Sequence, residues 1–121
     1  MKIRVLVVDD DRLQLTLFTA FLKKLNFEGN TAKNGEEAVE KMKAGQYDIC
    51  FMDIQMPIMD GIEATKLIRE EITKDMPIIA ITALDNFNYD RSIETGMNDC
   101  LKKPVSLEQL KEVITKHCDQ D

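Results

Sequence analysis

The chain has 121 residues, 44% of them hydrophobic, and a net charge of −6. That is the length of one domain with enough apolar content for one core, and the charge argues against direct nucleic-acid binding, which draws on clustered Lys and Arg. No apolar stretch reaches the length of a membrane span and no signal-peptide pattern opens the chain, while three unclustered cysteines, Cys50, Cys100 and Cys118, suit reduced thiols in a cytoplasmic protein better than a disulfide frame or a zinc site.

Residues 3–8 (IRVLVV) are short, apolar and β-branched, the pattern of a buried strand. Leu17, Phe18, Phe21, Leu22 and Leu25 then recur at helical spacing and predict one apolar stripe. A weaker strand covers 28–32. Asn34 and Glu37 have the spacing of a capping box and open a helix with Ala38, Val39 and Met42 inside, ending near Gly45. Residues 47–52 form a third apolar run. A helix over 61–72 follows, with Ile62, Thr65 and Ile68, or Ala64, Leu67 and Ile68, facing inward. Pro77 opens a fourth strand over 78–81, and 86–95 reads as a helix of low propensity stopped by Gly96. Residues 100–101 form a short fifth strand. Ser106 and Gln109 make a second capping box, before a helix that buries Leu107, Leu110, Val113 and Ile114.

Five strand–helix repeats with continuous apolar strands predict an α/β fold, a (βα)5 doubly wound parallel sheet covered on both faces. The leading strand order is the flavodoxin-like 2-1-3-4-5. In such sheets ligands gather outside the carboxyl ends of the strands. Strand 1 ends in Asp9, Asp10 and Asp11, strand 3 in Asp53, strand 4 in Thr82, and strand 5 is followed by Lys103-Pro104. Asp53 alone reads equally as a turn residue or a site residue; the set of four rim segments favours a site. Asp9, Asp10 and Asp53 held together need counter-charge. A divalent cation plus the Lys103 ammonium would balance them, and Mg²⁺ suits a few carboxylates and several waters. A carboxylate beside Mg²⁺, a hydroxyl and a lysine is equipped to receive a phosphoryl group.

VLVVDDD at 5–11, MDIQMPIMDG at 52–61, ITAL at 81–84 and LKKPV at 101–105 together resemble the receiver domains of response regulators, over essentially the whole chain. The resemblance implies one receiver domain over 1–121 without an effector domain. It implies that Asp53 accepts a phosphoryl group from a phosphohistidine on a sensor histidine kinase or a histidine phosphotransfer protein. Such a domain catalyses only its own phosphorylation and dephosphorylation. By the same resemblance Asp10 and Asp53 bind Mg²⁺ directly, Asp9 acts through water, and the Gln55 backbone carbonyl is a further ligand. Thr82 would hydrogen-bond the phosphoryl group, Lys103 would pair with it, Ala83 would leave it room, and Pro104 would follow a cis peptide. Gln55 and Leu84 occupy positions that tune phosphate lifetime in the family, with Leu84 expected to slow hydrolysis. Cys100 stands where the family usually has an aromatic switch residue, so smaller rearrangements, or passing the phosphate on, are expected as output. The wording also resembles receivers attached to hybrid histidine kinases.

Three residues have plainer readings. Asp11 is read as the cap of the first helix rather than a metal ligand. His117, the only histidine, is read as part of a fraying terminus rather than a phosphohistidine. Leu13 lies off the first helix's stripe near the acidic rim, and is read as part of a docking surface rather than a chance exposed leucine. The rival functions are a phosphate-independent binding module and an aspartyl-phosphate phosphohydrolase using Asp9 and Asp11.

Overall fold

The computed structural model describes residues 2–83 and 93–118. Its elements are β1 (Arg4–Val8), α1 (Arg12–Lys24), β2 (Glu28–Ala32), α2 (Gly35–Ala44), β3 (Ile49–Asp53), α3 (Gly61–Glu71), β4 (Ile78–Thr82), β5 (Asp99–Lys102) and α4 (Leu107–His117). Of the helix expected over 86–95, residues 93–95 are helical and the rest lie outside the described residues. Gly96 follows at φ 120°, a backbone conformation that glycine adopts without penalty.

The five strands form one parallel sheet in the order β2-β1-β3-β4-β5. Val5 and Val7 face one side with Ile49, Phe51, Ile79 and Ile81, beneath Phe18 and Leu22 of α1 and Leu110, Val113 and Ile114 of α4. Leu6, Val8, Cys50, Met52, Ile78 and Ala80 face the other side, beneath Ala38, Val39 and Met42 of α2 and Ala64 and Ile68 of α3. Both faces of β1, β3 and β4 are therefore dry, which is why their sequences are continuous apolar runs rather than alternating ones.

The stripe of α1 differs from the expected one by a rotation. Leu17 is 40% exposed, while Phe18 and Leu22 are buried and Leu15, Phe21 and Leu25 pack at the margins. Leu17 stands about 100° from Phe18 on a helix, so only one of the two can point at the sheet. At α2 the Asn34 side-chain oxygen accepts the Glu37 amide at 2.8 Å, but the Glu37 carboxylate turns to Lys41 Nζ at 3.6 Å, so the expected box is half-built. At α4 both halves are present: Ser106 Oγ accepts the Gln109 amide and Gln109 Oε1 accepts the Ser106 amide. Leu107 is only half-buried.

The end of the sheet away from the acidic rim is tied by polar contacts. The Arg4 amide donates to Asp48 Oδ2 at 2.8 Å, and the Arg4 guanidinium meets Glu28 at 2.9 Å and the Gln46 carbonyl at 2.7 Å. Asp99 Oδ2 receives His117 Nε2 at 3.1 Å and Lys116 Nζ at 3.3 Å. His117 is thus not part of a frayed end; its side chain is held against β5 and mostly buried. Burial pushes the Asp99 carboxyl up, but the His117, Cys100-amide and Lys116 contacts outweigh it and leave its pKa below the ordinary value.

Candidate functional site

Three carboxylates come together at the carboxyl ends of β1 and β3. One oxygen from each of Asp9, Asp10 and Asp53 lies within 4.8 Å of the others. Asp9 and Asp53 are buried, and Asp10 is exposed. Asp9 is fixed from both sides: its amide donates to the Ala32 carbonyl of β2 at 3.1 Å, and its Oδ1 accepts the Asp11 amide at 2.9 Å. Asp11 looks away from the cluster. Its Oδ1 accepts the Leu13 amide at 2.9 Å and caps α1, as expected.

Asp53 ends β3. Its Oδ1 accepts the Gln55 amide at 3.2 Å, and its Oδ2 accepts Lys103 Nζ at 3.3 Å. The same ammonium stands 2.9 Å from Asp9 Oδ2. This second contact has ion-pair distance without hydrogen-bond geometry, so Asp9 Oδ2 remains a buried oxygen with no hydrogen-bond donor. Burial first, and then repulsion from Asp9, raise the Asp53 pKa from 3.8 to about 6, against the opposing pull of Lys103 and the Gln55 amide. Burial pulls the Lys103 ammonium down, but its contacts with Asp9 and Asp53 prevail and leave its pKa above the ordinary value.

Lys103 reaches this point because β5 runs beside β4 with Thr82 opposite Lys102. The Lys103 amide donates to the Thr82 carbonyl at 2.8 Å, and the Lys103-Pro104 bond is cis, as expected. Thr82 is buried at the end of β4 and Ala83 beside it is exposed. Cys100 pairs with Ala80 and is half-buried at the margin of the core under α2 and α3. Burial raises the thiol pKa of Cys50 and Cys100, and that of Cys118 to about 11; all three are unpaired, as expected. Leu84 lies outside the described residues.

The loop after Asp53 is closed at its base. The Gly61 amide donates to the Ile54 carbonyl at 3.0 Å. A Cβ on Gly61 would stand 2.2 Å from the Asp53 carbonyl oxygen, so α3 approaches the end of β3 more closely than any side chain permits. Gly61→Ala is expected to cost on the order of 2–3 kcal/mol, measured by urea unfolding, because the backbone of Asp53 itself must shift. The residue sequence reading missed is Ile58. It has φ 72° and is 75% exposed. Nothing in a β-branched side chain signals positive φ, so its sequence carried no cue.

The donor set fits a hard divalent cation. The ligand atoms are carboxylate oxygens, they repel one another, and one buried oxygen has no donor of its own. Lys103 alone does not balance three carboxylates.

A doubly wound parallel sheet with this acid cluster and lysine on its carboxyl rim defines a phosphoryl-receiving class of domain. The family model for the response regulator receiver domain matches residues 5–115, and the chain belongs to that family. It is 36% identical over 126 residues to the osmosensing histidine protein kinase SLN1 of Saccharomyces cerevisiae, covering 96% of this chain and 10% of the kinase. It is similar to the crystal structure of the response regulator TrrA of Thermotoga maritima in complex with Mg²⁺ and BeF, with 37% identity and a TM-score of 0.86 over 96% of this chain and 98% of that one. It is also similar to the receiver domain of Ssk1 of Saccharomyces cerevisiae, whose structure is a complex with the histidine phosphotransfer protein Ypd1; identity is 34% and the TM-score 0.87, over 99% and 95% of the two chains. The chain spans 10%, 4% and 22% of the length of the first three curated relatives.

Proposed function

We propose that Asp53 accepts a phosphoryl group from a phosphohistidine of a sensor histidine kinase or a histidine phosphotransfer protein. The observation that carries this reading is the pairing of one buried carboxylate with Lys103 beside an unsatisfied oxygen of Asp9. An Asp53 oxygen attacks phosphorus; the P–O bond forms as the P–N bond breaks, and the histidine nitrogen keeps the electron pair. Lys103 already touches Asp53 and follows the added negative charge onto the phosphoryl oxygens. Thr82, at the end of the neighbouring strand, offers a hydroxyl to the same oxygens, and Ala83 leaves them room. Mg²⁺, when bound, neutralises charge on the transferring group; Asp10, Asp53 and the Gln55 carbonyl would hold it, with Asp9 acting through water.

The domain catalyses only its own phosphorylation and dephosphorylation, and works as a single receiver domain over 1–121 in the cytoplasm. No described helix is long and apolar enough to cross a membrane. Gln55 and Leu84 set the phosphate lifetime, and Cys100 replaces a bulky readout with a small one. The phosphohydrolase alternative loses its second acid, because the Asp11 carboxylate is engaged as a helix cap.

The test is intact-mass spectrometry after incubation with acetyl phosphate, with and without Mg²⁺. The wild type should gain one phosphoryl group only with Mg²⁺, and Asp53→Asn should gain none. A gain in Asp53→Asn would move the acceptor elsewhere. No gain in the wild type from acetyl phosphate or any phosphohistidine donor would make the domain a phosphate-independent binding module.

A further inference from the structure

The two layers that cover the sheet are made of different material. Six of the chain's seven methionines, Met42, Met52, Met56, Met59, Met76 and Met97, lie in or against the core under α2 and α3, together with Cys50, Cys100 and four alanines. Among the described residues, the core under α1 and α4 has no methionine. It is built mainly from Val, Ile, Leu and Phe, with the Phe18 and Phe51 rings 5.9 Å apart. Branched side chains have few rotamers and hold a layer in place, whereas methionine has three soft torsions and repacks at little cost. One layer is therefore stiff and the other compliant.

On the compliant side α2 is lightly held. It buries only Gly35, Ala38, Val39 and Met42. Its polar ties are the Lys41 ammonium on the Thr31 carbonyl and an exposed Lys43–Glu71 pair at 3.9 Å, a kind of contact that contributes little. By contrast α4 buries Leu110, Val113 and Ile114 and is fastened to β5 through Asp99. The first turn of α2 is joined to the loop that follows the acceptor. The Gly35 amide donates to the Met59 carbonyl at 3.1 Å, and a Cβ on Gly35 would stand 2.5 Å from that oxygen, so helix and loop touch backbone to backbone. The loop itself is short and folded on itself. The Gln55 amide sits on Asp53 Oδ1, the Met59 amide donates to the Pro57 carbonyl at 2.8 Å across a turn at Ile58, and Gly61 closes the base. A phosphoryl group on Asp53 brings three more oxygens to a residue that is 4% exposed, and the Gln55 contact must be redrawn to admit them.

We infer that α2 is the element that answers phosphorylation of Asp53. The loop carries the displacement from Gln55 to Met59, Met59 passes it to Gly35, and the methionine layer lets α2 shift while α1 and α4 keep their places. This rests on Asp53 being the acceptor. It gives the domain a response that needs no aromatic side chain at position 100, where Cys100 stands.

The test is amide hydrogen exchange on the full chain, read segment by segment, with Mg²⁺ alone and with Mg²⁺ plus excess acetyl phosphate, or a phosphohistidine protein where acetyl phosphate does not label. Intact mass of the same samples reads the phosphoryl group. Exchange in residues 35–44 should change by about threefold or more on phosphorylation, and that in 12–24 and 107–117 by less than about half that factor. Asp53→Asn should show no change in 35–44. Met42→Leu, a swap that cores tolerate, should gain the phosphoryl group equally and lose about half or more of the α2 change, because leucine repacks less freely. A phosphorylated wild type whose 35–44 exchange is unaltered, or whose α1 or α4 changes as much as α2, would overturn the inference. So would an α2 change of full size in Met42→Leu. A wild type that gains no phosphoryl group from either donor would instead overturn the acceptor reading, and this inference with it.

Discussion

Asp53→Asn should stabilise the metal-free protein near pH 7 while removing the acceptor. Ionising Asp53 inside the fold is unfavourable, since burial and Asp9 raise its pKa from 3.8 to about 6. A carboxyl with a raised folded pKa leaves the fold most stable below its unfolded pKa, where it is protonated in both states. Stability is then lost as pH rises from about 4 to about 6. At pH 7 the full difference corresponds to about 3 kcal/mol, reduced in practice by the loss of one partner for Lys103. Asparagine keeps an oxygen for the Gln55 amide and carries no charge, so its unfolding free energy should lack this step. Urea unfolding of both proteins from pH 3.5 to 7.5 without divalent cations measures it. The curves should meet at the acid end and diverge with the variant above. Mg²⁺ should then raise the wild type more than the variant. A wild type whose stability does not fall between pH 4 and 6 would show that Lys103 already compensates both acids.

Lys103→Ala should have the opposite sign and a larger effect. The ammonium lies 2.9 Å from Asp9 and 3.3 Å from Asp53, both almost fully buried, and among the described residues no other cation is in ion-pair contact with either. Removing one partner of a buried charge group costs about 3–5 kcal/mol. The loss should be greatest near neutral pH. It should shrink as pH falls, because a proton on one carboxyl then replaces the lysine, and shrink again when Mg²⁺ is added. Phosphoryl uptake from acetyl phosphate should slow by about 100-fold or more even with saturating Mg²⁺, since the charge arriving on the phosphoryl oxygens loses its fixed partner. A variant as stable as wild type at pH 7 would mean that the two acids share a proton at that pH.

The sheet was readable from the chain because β1, β3 and β4 are continuous apolar runs, polar only at one terminal residue each, and such strands belong to a sheet covered on both faces. The rim residues were readable because parallel strands bring Asp9, Asp53, Thr82 and Lys103 to one end whatever the details of the helices. The stripe of α1 was misjudged at Leu17, since adjacent apolar residues on a helix leave its rotation open by about 100°. His117 was misread because its partner, Asp99, comes from β5 and local sequence does not reveal the contact. The turn at Ile58 was hidden for another reason. Its positive φ goes against the preference of a β-branched residue, so the residue type gives no cue to it.

The ties at the far end of the sheet have a consequence for how such a domain can diversify. Arg4, Asp48, Asp99 and His117 hold together the end that does no chemistry. The repelling acids, the crowded glycine contact and the positive φ of Ile58 all lie at the other end, in and around the loops that follow the strands. Robustness and reactivity are thus drawn from opposite poles of one small sheet. Substitutions that retune recognition fall on loops at one pole, and the anchorage that tolerates them sits about a strand's length away.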